Sequence, residues 1–99
     1  MSMMTPQTVV DATHYIQAIA SPLLDAAVRD ALRIDYHVLH DEHIFVVQVP
    51  ESSVRYLVGR RGETANAMRK LLRSWCGVRR LRSLVDVRVR PLDGATHPP

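Results

Sequence analysis

At 99 residues the chain holds one domain with a modest core, and no stretch nears the ~18 unbroken apolar residues of a membrane span. One cysteine, Cys76, excludes an internal disulfide and a thiolate zinc cluster. The net charge of +3 conceals a division: residues 1–54 set two arginines against seven carboxylates, a balance of −5, and residues 55–99 set eleven cations against three carboxylates, a balance of +8. A basic half of this kind suits a polyanionic partner, while the bland reading is a solvated basic surface. Residues 1–7 lack the basic and apolar regions of a secretory signal, so a cytoplasmic protein is expected.

Residues 1–8 read as a flexible polar lead. From Val9 the apolar residues Val9, Ala12, Ile16, Ile19, Leu23, Ala26 and Ala27 recur at helical spacing. Ser21-Pro22 interrupts this pattern. It implies either one kinked helix to about Arg29, the preferred reading, or two helices with Ser21 capping the second. Residues 33–39 alternate, with Ile34, Tyr36 and Val38 on one face, and residues 44–49 are β-branched and aromatic. The polar His40-Asp41-Glu42-His43 between them predicts an antiparallel hairpin, and Pro50 ends the second strand.

A short helix is predicted over residues 51–57 and a longer one over residues 63–75, with Ala65, Met68, Leu71, Leu72 and Trp75 as its apolar stripe and Gly77 as its C-cap. Val85, Val87 and Val89 alternate with Asp86, Arg88 and Arg90, which predicts a last strand. Residues 91–99 read as a flexible tail. The order is α-β-β-α-α-β, an α+β fold in which helices cover one face of a three-stranded sheet.

Between the two later helices stands Gly59-Arg60-Arg61-Gly62. Glycine at both ends lets the backbone approach a phosphate closely, the arginines supply charge and forked donors, and the helix behind them directs N–H groups to the same place. The competing reading is a plain helix–helix connector.

Leu57-Val58-Gly59-Arg60-Arg61-Gly62-Glu63-Thr64-Ala65 resembles the core of a KH domain: an aliphatic pair, Gly-x-x-Gly, and an aliphatic residue three positions on. The element order is similar to the type II arrangement. Val49-Pro50 ahead of a helix, and the helix resembling Thr64-Ala65-Asn66-Ala67-Met68-Arg69-Lys70-Leu71-Leu72, are similar to small bacterial single-KH proteins of the KhpA or YlqC type. The resemblance covers residues 43–90, and extends from residue 9 by element order. Ala65 stands where the family usually carries a larger residue, which makes a shallower groove floor.

This resemblance implies single-stranded RNA as partner, with Gly59, Arg60, Arg61 and Gly62 clamping the backbone of about four nucleotides. The groove walls would be Val54, Val58 and Ala65 with Ile44 or Val46, and Arg69, Lys70 and Arg73 would attract flanking phosphates. It further implies a Jag-type (KhpB) partner and a role as an RNA chaperone or post-transcriptional regulator affecting cell shape and division; because one small KH surface binds modestly, a homodimer or a second RNA-binding partner is expected. The alternative is a protein-interaction module on the same scaffold. No catalytic constellation or cofactor motif is present in the sequence, so neither an enzyme nor a cofactor is expected. His40 and His43 fit a solvated turn better than a metal site, and Cys76 fits a small half-buried thiol.

Overall fold

The computed structural model describes residues 4–92; the first three residues and most of the predicted tail lie outside them. Helix α1 spans Pro6–Ala20, a 3-10 turn Ser21–Leu23, and a short helix α2 Ala26–Arg29. The hairpin follows as β1, Arg33–Leu39, and β2, Glu42–Val49. Helix α3 is Glu51–Val58, a 3-10 turn covers Arg60–Gly62, α4 is Glu63–Val78 and β3 is Leu84–Pro91.

Helix α1 starts earlier than its apolar periodicity suggests. Thr5 accepts the Thr8 N–H at 3.1 Å and Pro6 occupies the first turn, where its missing donor costs nothing. Met4 is buried in the core ahead of this cap, so the lead is structured from there. Pro22 divides the first segment rather than kinking it. The chain tightens into the 3-10 turn, becomes extended at Leu24, and restarts at α2 with Asp25, not Ser21, in the cap position. The phase therefore slips by one residue: Leu24 is buried and Leu23 is exposed.

The sheet order is β1-β2-β3, with β2 antiparallel to β1 and parallel to β3. The two-residue turn His40-Asp41 joins β1 to β2, both residues at positive φ (51° and 67°), the geometry that matches strand twist. The α3–α4 crossover is what returns the chain to lay β3 parallel to β2. Phe45, Val47, Val49, Val85, Val87 and Val89 form one core with Ala12, Ile16, Leu57, Met68, Leu72 and Trp75 from the helices. Ring packing ties α1 to α4, because Tyr15 stacks on Trp75 with centroids 5.9 Å apart.

Helix α4 runs through Gly77 and ends beyond it. Arg80 adopts the left-handed conformation, its N–H bonds Gly77 O at 3.0 Å, and the Leu81 N–H reaches back to Cys76 O at 2.9 Å. This pair of bonds is the Schellman ending, with arginine where glycine is usual. Arg79 lies 3.9 Å above the Trp75 ring and donates to Trp75 O. Cys76 is buried, and burial pushes its thiol pKa up against the opposing charge of Arg79, so it stays a protonated, weakly reactive core group.

Candidate nucleic-acid interface

The α3–α4 turn owes its shape to its glycines. Gly59 closes α3 with its N–H on Arg55 O at 2.8 Å, then takes φ 79°, ψ 172°, a region essentially reserved for glycine. Gly62 N–H returns to Gly59 O at 3.1 Å. Arg61 (φ 55°) and Gly62 (φ 77°) are both left-handed. A non-glycine residue there stores about 1–2 kcal/mol of backbone strain. Arg60 and Arg61 are exposed, and no side chain caps the N-terminus of α4 behind them.

The turn opens onto a groove of about 360 Å³. One wall is Val58 from α3, Gly62, and Ala65 and Arg69 from α4. The other is β3, through Asp86, Arg88, Val89 and Arg90. The expected strand wall of Ile44 or Val46 is thus replaced by β3. The reason is topological: β2 is the central strand, whereas β3 has one partner strand and presents its second edge toward the loop. Val54 packs against the core instead of lining the groove.

Asp86 organises this edge. Its Oδ1 accepts the Val87 N–H at 2.8 Å and Arg69 Nε–H at 2.8 Å, and its Oδ2 accepts Arg88 Nε–H at 3.1 Å. Arg69 Nε–H is shared with Val87 O at 3.0 Å. Arg69, expected as a phosphate cation, is therefore fastened across the groove floor, its Nε engaged by protein acceptors. Lys70 and Arg73 are exposed on α4, Arg73 one turn beyond Arg69 on the same stripe. Arg88 and Arg90 add cations that strand alternation alone presents as ordinary outward residues; the sheet order, not the sequence, sets them beside the glycine turn.

Burial pushes the Asp86 carboxyl pKa up, but the bonds from Arg88 and the Val87 amide, with the charge and bond of Arg69, outweigh it and hold it below its ordinary value. A carboxylate depressed in the folded state adds stability above its unfolded pKa, about 4, and loses it as pH falls through the folded value. Asp86→Asn is expected to lower stability by about 2 kcal/mol at pH 7, in the range of hydrogen bonds to charged groups. Urea midpoints of wild type and variant should converge as pH falls below about 4 and the carboxylate takes up its proton, and a gap unchanged at low pH would refute this account.

The histidines of the hairpin do not gather. The His43 ring pairs with Tyr36 Oη through Nδ1 at 2.5 Å and stacks on it, while His40 sits in the turn. Among the described residues no three His, Cys, Asp or Glu side chains come together in a metal-holding group, and no helix is long and apolar enough to cross a membrane.

Neither a protein-family model nor a curated protein sequence matches the chain. Among solved structures it is similar to the crystal structure of a single-residue variant of Aquifex aeolicus Era bound to GDP·AlF4−, with a TM-score of 0.61 and 10% identity. The match covers 91% of this chain and 33% of that one. The fold is KH-like. At that identity the likeness concerns the fold alone, and the chain spans about a third of the length of the Era chain.

Proposed function

We propose that this chain binds single-stranded RNA through the Gly59–Gly62 turn and the groove beside it, as an RNA chaperone or post-transcriptional regulator. The observation that carries the reading is the junction of the two features: an exposed, doubly basic turn whose last glycine, Gly62, also lines the groove. The sugar–phosphate strand lies on the turn and on the first turn of α4, with Lys70 and Arg73 as flanking cations. Bases enter between Val58 and Ala65 on one side and β3 on the other, where Arg88 and Arg90 meet their edges. The mechanism is binding rather than catalysis.

The mixed sheet and the element order support a type II KH reading. The KhpA-type assignment, and with it a cytoplasmic setting and a second module supplied by a homodimer or a Jag-type (KhpB) partner, rests on the motif from Val49-Pro50 to Leu72. A second module would raise apparent affinity without new contacts, which a groove of this size requires for tight binding.

Fluorescence anisotropy with an unpaired RNA octamer, an RNA duplex and a DNA duplex tests the reading. The octamer should bind best, with log K falling against log[salt] at a slope of about −3, as four single-strand phosphate contacts from Arg60, Arg61, Lys70 and Arg73 dictate. Failure to bind unpaired RNA, or preference for either duplex, would overturn it.

A further inference from the structure

The chain has five aromatic residues, and four of them are committed to packing. Tyr15 stacks on Trp75, and Tyr36 packs between His43 and Phe45. Tyr56 alone is exposed, at 55% of its surface. Its neighbours Ser53 and Leu57 turn inward and anchor α3, so the fold does not need a large apolar ring at position 56. The Arg55 guanidinium lies 5.3 Å from its centroid, a cation–π contact that holds the side chain against the surface.

The position of this ring gives it a role. Tyr56 precedes Gly59 by three residues, the spacing of groups one turn apart on a helix face. Helical hydrogen bonding continues to Gly59, whose N–H is held by Arg55 O. Tyr56 therefore stands one turn behind the glycine turn and is not among the residues lining the groove. Its half-turn offset from Val58, which lines the groove, keeps it out of the base-reading site.

We propose that Tyr56, with Arg55 beside it, is a stacking platform for an unpaired base flanking the nucleotides in the groove. This inference rests on the RNA-binding reading above. Every base has a π face, so the platform adds affinity with little sequence preference and favours purines for their larger area. Arg55 supplies the neighbouring phosphate with a cation.

The test uses the full chain, an RNA tetramer that fills only the groove, and an octamer that extends beyond it. Tyr56→Ala should weaken octamer binding roughly tenfold or more, the usual effect of removing one base–aromatic stack, and leave the tetramer within twofold. Tyr56→Phe, which keeps the ring, should bind both as wild type does, and 2-aminopurine at the flanking position should be quenched by wild type and Tyr56→Phe only. Octamer affinity unchanged in Tyr56→Ala, or equal losses for both lengths, overturns the platform while the groove reading stands. Wild-type protein that binds neither RNA overturns the RNA-binding reading itself.

Discussion

Gly59→Ala is expected to destabilise the fold by about 3–5 kcal/mol, and Gly62→Ala by only about 1 kcal/mol, although the two glycines bracket the same turn. The difference lies in what each Cβ would meet. At Gly59 it would overlap Thr64 Oγ1 and stand 2.7 Å from Thr64 N and 2.8 Å from Thr64 Cβ. Two of these atoms are fixed by the first turn of α4, so rotating the threonine does not clear the space. The backbone at φ 79°, ψ 172° also excludes side chains on its own account. At Gly62 nothing lies within 4 Å, and only the left-handed φ of 77° is penalised. For a domain of this size each kcal/mol moves the midpoint by about 4–8 °C, so thermal melts should fall by roughly 12–40 °C for Gly59→Ala and under about 10 °C for Gly62→Ala. Thr64→Ala should recover part of the first loss by removing Oγ1. Equal melting shifts for the two glycine variants would mean that the turn is not held as described.

This asymmetry also marks where a sequence stops being informative. Glycine at 59 and 62 announces a turn, because few other residues enter positive φ, but both look alike in the chain. Only the packing of Thr64 against Gly59 separates a glycine required by contact from one required by conformation. Arg61 and Arg80 show the opposite limit: each takes a left-handed conformation with no residue-type cue. Gly77 accordingly looks like the helix end, whereas the chain turns three residues later.

The strands were legible because alternation forces one face inward, and the register Phe45↔Val87 and Val47↔Val89 carries that alternation across the parallel pair. The hairpin turn looks four residues long in sequence because His40-Asp41 lacks the Asn-Gly signature of a two-residue turn. Apolar spacing alone blurs the start of α1, although Thr5-Pro6 carries the cap signal.

Within the candidate site, the loop and its cations were legible as local features, while the second wall was not. Which strand borders the groove is a property of the crossover. Periodicity assigns Asp86, Arg88 and Arg90 to a face, and only the sheet order places them beside Gly62 and Ala65. The same crossover changes the meaning of Arg69. As a helix residue it reads as a surface cation, but across from β3 it becomes the clasp that joins α4 to the strand edge through Asp86 and Val87 O. Arg69→Ala should therefore act on the shape of the groove as well as on its charge.

Arg60→Asp/Arg61→Asp is expected to weaken binding of an unpaired RNA octamer by about 100-fold or more, equivalent to about 2.8 kcal/mol. Two charge-assisted contacts at about 1.5–3 kcal/mol each account for that loss before repulsion is counted. The variant should still fold. Neither arginine takes part in an ion pair among the described residues, aspartate tolerates the left-handed conformation at position 61 better than arginine, and acidic groups ahead of α4 complement its dipole. Circular dichroism should thus show a native spectrum and an unchanged or slightly higher melting midpoint. Losing two phosphate contacts should also flatten the salt dependence by about 1.4 in log–log slope. Arg33→Asp, on β1 at the opposite edge of the sheet, is the reference, because it lowers the net charge without touching the groove. Its affinity should fall by no more than a few fold, the share due to the field of the whole molecule. If Arg33→Asp loses as much as the double variant, the interaction is a diffuse attraction to a basic surface, and the glycine turn is not where the phosphates sit.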